Sequence, residues 1–436
     1  MSYRYITELG LSSLEVDYWK RMALSNMKIA VEIENEFRSL GVIRGLSNDL
    51  RPTNSITEFG TCGISAVKTD GSLLRGAEAC TVGRRISFID LYEQYKYIIN
   101  KMYEYEPYIS PRAGMHNHFL LDYAGVYNCL EKPMPGIILK NFLQLIKRYG
   151  PCMVWVTSTI KHDIPGIITR MCKFCNHTSL YSTAIPSKTA AEIRRAIYNE
   201  DRYRFINLIP LVTKREDEDN IIRFHVELRY PDCSLFPAQM AAQNILHAAL
   251  LYKAIELSEH GIIACSDDED DWTEIKRLMN AIRTEDYTSG DRVSAPLPQS
   301  DVELVRSRSE EMIKELKSAI YAVDKNAYPI LKQLVLEPIS KMQYDVRTTE
   351  GVKEVNEFFD LIVSNMYDIS VNQEYTDLIK AIVAMSITGA SSEAQWVYKA
   401  QSTLSKDAKE IESKLTMLKL QRNLKFDLEL GTYIFG

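Results

Sequence analysis

The chain has 436 residues, 46% hydrophobic and 25% charged, long enough that two domains, each with a substantial core, are the expected organisation. Its 58 acidic against 52 basic residues leave a net charge of −6, which offers no electrostatic footprint for nucleic acid or an anionic membrane. No apolar run approaches the ~20 residues of a membrane span, and the start Met1-Ser2-Tyr3-Arg4-Tyr5 lacks a signal peptide's apolar core, so the expected location is cytoplasmic.

Residues up to about Lys28 read as a helical extension, with Leu14, Tyr18 and Met22 at helical spacing. From Ile29 to about Cys265, strands are predicted at 29–37, 61–69, 74–82, 113–120, 152–158, 204–213 and 221–230. Helices are predicted at 87–104, 137–149, 188–199 and 237–258. The strands alternate in polarity, which favours an α+β fold with an antiparallel or mixed sheet covered on one side. The acidic run Asp267-Asp268-Glu269-Asp270-Asp271, then Ser289-Gly290 and Pro296-Leu297-Pro298, mark 266–300 as an exposed linker. From Asp301 onward nearly everything reads as helix: 301–323, 327–342 interrupted by Pro338, 350–367, 373–387 and 391–423. In the last of these, Trp396, Ala400, Leu404, Ile411, Leu415 and Leu418 form a stripe suited to a bundle core. The expected domains are thus 1–28, 29–265, the linker 266–300 and a helical domain 301–436.

The chemistry is concentrated between residues 29 and 233. In Glu32-Ile33-Glu34 two carboxylates sit one residue apart, so on a strand they share a face. Such a pair suits a hard cation such as Mg²⁺, and equally describes a solvated strand, a pattern that Glu36 continues. His116-Asn117-His118 repeats the spacing with two imidazoles, able to hold a metal or phosphate or simply to lie at the surface. The third segment, Arg223-Phe224-His225-Val226-Glu227-Leu228-Arg229, puts His225, Glu227 and Arg229 opposite Phe224, Val226 and Leu228. It combines a ligand, an anion and a forked donor, or else builds a cross-strand salt-bridge ladder.

Eight cysteines (Cys62, Cys80, Cys129, Cys152, Cys172, Cys175, Cys233, Cys265) are scattered, which favours reduced thiols. Cys172-Lys173-Phe174-Cys175-Asn176-His177 offers at most half a zinc site, and buried thiols explain it better because no second pair has matching spacing.

Glu32-Ile33-Glu34, Asp70-Gly71-Ser72-Leu73 with Gly76-Ala77-Glu78, Gly114-Met115-His116-Asn117-His118, Arg202-Tyr203-Arg204-Phe205-Ile206-Asn207 and Val226-Glu227-Leu228-Arg229 occur in one order. That order resembles the amidoligases, the glutamine synthetase-like carboxylate-amine ligases. Each piece is weak, and five in order over some two hundred residues are fairly specific.

The resemblance implies a curved antiparallel sheet of glutamine synthetase-like type with helices on one side, ATP, and two or more Mg²⁺ ions. It implies amide formation between a carboxylate and an amine through an acyl phosphate. Carried over, Glu32, Glu34, Glu78, His116 and Glu227 would hold metal. Glu227, Arg204 and Arg229 would act in catalysis, and Arg202, Tyr203, Asn207 and His118 would shape the nucleotide and phosphate wall. Asp70 and Ser72 divide between turn formation and substrate contact. Ala30 and Val31 stand where the family commonly has glycine, and the resemblance does not reach 266–436.

Three functions therefore remain in play. The first is the ligase, acting on a small-molecule, peptide or protein carboxylate and amine, with homo-oligomers common among such enzymes. The second is a phosphotransferase on the same fold, and the third a non-catalytic assembly protein using its helical region.

Overall fold

Ser12 opens the first helix with a capping box: its side chain accepts from the N–H of Glu15, and Oε2 of Glu15 accepts from the N–H of Ser12 at 2.9 Å. The structure is a computed structural model. It describes residues 10–50, 64–71, 73–121, 130–161, 168–169, 205–208, 224–262, 274, 277–278, 283–284, 298–367, 392–404, 411–412, 415, 424–427 and 432–435.

In chain order the elements are α1 (Ser13–Asn26), β1 (Met27–Phe37), α2 (Val42–Leu50), β2 (Ile64–Lys68), β3 (Gly76–Thr81), β4 (Arg84–Arg85), α3 (Phe88–Tyr103), β5 (Pro107–Tyr108), β6 (Met115–Leu121) and α4 (Gly136–Thr157). They continue with β7 (Ile168–Thr169), β8 (Ile206–Asn207), β9 (Phe224–Leu228), α5 (Pro237–Glu259), β10 (Arg283–Thr284) and α6 (Gln299–Glu315). The last are α7 (Lys317–Asp324), α8 (Ala327–Leu336), α9 (Thr349–Tyr367), α10 (Glu393–Leu404), β11 (Leu424–Asp427) and β12 (Thr432–Phe435).

The main sheet is antiparallel throughout, in the order β2-β3-β1-β6-β9-β8, with β4 and β5 also paired to β1. Alternation divides most of its residues between two faces. Val31, Ile33, Phe37, Ala77, Ala79, Met115, Phe119, Leu121, Phe224, Val226 and Leu228 are buried in the core. Helices α3, α4 and α5 cover this face. Asn35 of β1 reaches Sδ of Met102 in α3 at 3.6 Å, Gln243 of α5 reaches Sδ of Met115 at 2.9 Å, and Phe142 of α4 meets the Phe224 ring edge-on. The other face carries Glu32, Glu34, Glu78, His116, His118 and Glu227. The fold is thus α+β, an open antiparallel sheet with helices stacked on one side.

Helices α6 to α9 join the same hydrophobic core. Trp155 of α4 donates its indole N–H to the carbonyl of Val335 at 2.9 Å, the N–H of Phe88 bonds Asp324 at 2.8 Å, and Tyr92 donates to Asp360 at 2.6 Å. Trp396, Ala400, Ile411 and Leu415 of the predicted stripe are buried.

Residues 152–158, expected as a strand, instead finish α4, which runs through Pro151 to Thr157. Gly150-Pro151 and the β-branched Val154 and Val156 suggested a break followed by a strand. The segment is buried on every side, so it lacks the polar stripe that distinguishes a surface helix from a core strand. Helix α2 and the β11–β12 hairpin were not anticipated, although Leu424-Lys425-Phe426-Asp427 alternates in polarity and Gly431 precedes the β-prone run Thr432-Tyr433-Ile434-Phe435. The predicted helices 188–199 and 373–387, most of the linker 266–300 and the Cys172 to His177 segment lie outside the described residues. Cys80, Cys152 and Cys233 are free thiols. Among the described residues no helix is long and apolar enough to cross a membrane.

Candidate metal centre

Strand β1 is the spine of the site. Its register sets Glu32 against Cys80 of β3 on one side and His116 of β6 on the other, and sets Glu34 against Glu78. One strand further on, His118 faces Glu227 of β9, and Glu227 faces Asn207 of β8. Gly76 begins β3 because a Cβ there would lie 2.8 Å from the carbonyl of Asn35, so glycine lets the two strands close up where Glu78 enters the site.

These pairings bring the charged side chains into one wall. His116, nearly fully buried, places Nδ1 2.9 Å from Oε2 of Glu32 and 3.6 Å from Oε1 of Glu227, while its Nε2 lies 3.7 Å from Oε1 of Glu34. His118 approaches Glu32 at 3.5 Å through Nε2, and its Nδ1 is 3.0 Å from Nε2 of His225, so one of these two rings donates and the other accepts. Glu227 is held from both sides: Asn207 donates to it at 2.6 Å, and the Arg229 guanidinium bonds its other oxygen.

Glu34 is fully buried and accepts the N–H of Gly114 at 2.9 Å, one of the bonds a buried carboxylate requires. Glu36, next on the same face, is committed elsewhere. Its oxygens accept the N–H of Leu74 at 2.8 Å and the hydroxyl of Tyr108 at 3.0 Å, so it fastens the approach to β3 onto β5.

Burial opposes ionisation of Glu32, yet the hydrogen bonds from His116 and His118 outweigh it and hold this carboxyl well below the usual range. Glu78 moves the other way: burial raises it and the charge of Glu32 adds to the effect, which the Lys68 ammonium 3.0 Å away only partly offsets. Burial also raises the Cys80 thiol, which donates to Glu78 at 3.0 Å.

Three overlapping sets of ligand atoms each lie within 4.8 Å of one another: Glu32, His118 and Glu227; Glu34, Asp70 and Glu78; and Glu32, Glu78 and Cys80. Carboxylate oxygens dominate, with an imidazole joining the first set. This donor chemistry fits hard divalent cations such as Mg²⁺ or Mn²⁺. The expected ligands Glu32, Glu34, Glu78 and Glu227 all fall in these sets. Of the two histidines, His118 belongs to a ligand set, while His116 bridges the carboxylates that form it. Asp70 both closes a turn, its carbonyl accepting from Leu73 at 3.3 Å, and lends its carboxylate to the second set. Arg202, Tyr203, Arg204 and Ser72 lie outside the described residues.

Sequence reasoning missed Cys80 and Lys68. Glu78-Ala79-Cys80 carries the same one-apart signal as Glu32-Ile33-Glu34. Lys68 has no such signal, because its place depends on the pairing of β2 with β3.

No protein-family model and no curated protein matches the chain. Among solved structures it is similar to a bifunctional glutathione synthetase from Pasteurella multocida, at 11% identity and a TM-score of 0.43, covering 90% of this chain and 57% of that one. It is similar to the complex of the prokaryotic ubiquitin-like protein Pup with its ligase PafA, at 10% identity and a TM-score of 0.34, covering 94% and 86%. A novel glutamine synthase homolog matches at 14% identity and a TM-score of 0.34, covering 79% and 73%. The chain spans little more than half the length of the first of these. Likeness at this level assigns no activity, which rests on the geometry of the site.

Proposed function

We propose that the chain is an ATP- and Mg²⁺-dependent ligase that joins a carboxylate to an amine. The observation that carries this reading is the convergence of Glu32, Glu34, Glu78, His118 and Glu227 into ligand sets on one sheet face, with the Arg229 guanidinium at their edge. The ordered motifs add the expectation of ATP. In this reading Glu32, Glu34, Glu78, Glu227 and His118, with Asp70, hold the divalent ions, and His116 keeps Glu32 ionised and aimed. Bound there, such ions would neutralise the phosphate charge of the nucleotide.

The rest belongs to side chains of the chain. Arg229 offers a planar fork beside Glu227, suited to the phosphoryl oxygens, and Asn207 fixes that carboxylate. An oxygen of the substrate carboxylate bonds the γ-phosphorus as the bond to ADP breaks. The amine nitrogen then bonds the acyl carbon, inorganic phosphate leaves, and the nitrogen gives up a proton. Arg204 is proposed as a second clamp, and Arg202 and Tyr203 as nucleotide-wall residues, all from the family resemblance. Residues 29–265 would form the catalytic unit, which the later helices brace.

The test is incubation with Mg-ATP and a mixed pool of amino acids, polyamines and peptides, read by mass spectrometry. A product equal to two precursors less one water, formed with ADP and phosphate, is expected. A phosphorylated product without amide would make the chain a phosphotransferase, and no nucleotide binding by calorimetry in Mg²⁺ would remove both enzymatic readings.

A further inference from the structure

An ammonium of the chain itself sits in the carboxylate wall. Strand β2 pairs with β3 so that Lys68 stands directly opposite Glu78. Its Nζ lies 3.0 Å from Oε1 of Glu78 and 4.0 Å from Oε1 of Glu32, the two carboxylates of the third ligand set. Sγ of Cys80, the remaining member of that set, reaches the same Glu78 oxygen at 3.0 Å. The set therefore offers donors for a metal while an ammonium of the chain already pairs with one of its carboxylates and stands 4.0 Å from the other.

We infer that Lys68 is a built-in counter-ion that fills the third position, so that the site takes two divalent ions and keeps thiophilic metals away from Cys80. This rests on the metal-binding reading above. A divalent ion bound to Glu32 and Glu78 would need oxygens at about 2.0–2.6 Å and would lie within a few ångströms of the ammonium. Like charges that close in a partly buried site repel strongly. Only in the third set are both carboxylates paired with Lys68; the first set shares Glu32 and the second Glu78, and each adds two further donors of its own. Cys80 is the one soft donor in the three sets, so the third position is where a thiolate-seeking metal would bind if the lysine were absent.

The experiment compares the wild-type chain with Lys68→Met and with Lys68→Met/Cys80→Ser. Lys68 is half exposed, so methionine is tolerated without a cavity. Mn²⁺ stoichiometry is measured by equilibrium dialysis, and Co²⁺ binding by the near-ultraviolet thiolate-to-cobalt absorption. Two Mn²⁺ and no thiolate band are expected for the wild type, and three Mn²⁺ with the band for Lys68→Met. The double variant should lose the band. Three ions or a thiolate band in the wild type would show that Lys68 yields to metal and overturn the inference. So would two ions and no band in Lys68→Met. Absence of divalent binding in the wild type would instead overturn the underlying metal reading, and the inference with it.

Discussion

Nδ2 of Asn207 donates to Oε2 of Glu227 at 2.6 Å across the β8–β9 pair, in which the two residues are register partners. Glu227 therefore presents its carboxylate to the wall in an orientation set by a neutral neighbour on one oxygen and Arg229 on the other. Residues that orient a ligand commonly govern affinity by about 10–100-fold. Asn207→Ala is expected to weaken Mn²⁺ binding by that factor while leaving the fold intact. Unchanged affinity in a Mn²⁺ titration would show that Glu227 needs no such guide.

Glu32 contributes to two of the three ligand sets and accepts from His116. Glu32→Gln is expected to reduce ADP-forming turnover by about 10²–10³-fold, with a melting temperature in chelator close to that of the wild type. Glu227→Gln should behave alike. Nucleotide turnover that survives both substitutions would sink the metal assignment.

Gly76 admits no side chain without displacing the β1 backbone at Asn35. Gly76→Ala is expected to cost about 1–3 kcal/mol by overpacking and to shift Glu78, weakening divalent binding as well. Urea unfolding of the variant measures the first effect and Mn²⁺ titration the second. A variant as stable as the wild type would show that the strands can part freely.

His247 is fully buried in α5, bonded to the Tyr230 hydroxyl and edge-on to the rings of Phe119 and Tyr230. Burial pushes it down to about 3. The unfolded chain then binds a proton near pH 6.5 that the folded chain refuses, so stability falls as pH drops from about 6.5 toward 3. The limiting slope is ~1.4 kcal/mol per pH unit. His247→Gln should remove this component, narrowing the stability difference between pH 7 and pH 4.5 by about 2–3 kcal/mol. Equal pH dependence in urea titrations of the two proteins would contradict the assignment.

Trp155 fastens α4 to α8 through its bond to Val335 and is nearly fully buried. Trp155→Ala is expected to cost about 3–5 kcal/mol. Because α6 to α9 share the core of the sheet, the loss should appear in one cooperative transition. Separate transitions for helix and sheet signals would mean that the two parts unfold independently.

The period-two rule made the side chains of each strand legible: Glu32 with Glu34, His116 with His118, and Glu227 with Arg229 could be assigned to common faces from their spacing alone. The same rule misled beyond Tyr149 in α4, where burial on all sides left no polar stripe and residues 152–158 read as a strand. It also placed Glu36 on the ligand face without revealing that Leu74 and Tyr108 occupy its oxygens.

By itself, then, the sequence determined which residues share a face, because side-chain direction is a local property of the strand backbone. Which strands stand side by side, and in what register, was decided only by the tertiary structure. A slip of one residue would turn Glu78, His118 or Glu227 into the core. The meeting of Glu32 with Glu227 across β6, and of Lys68 with Glu78, depends on packing the apolar faces of distant strands onto α3 and α5. Adjacent spacing does not encode that packing.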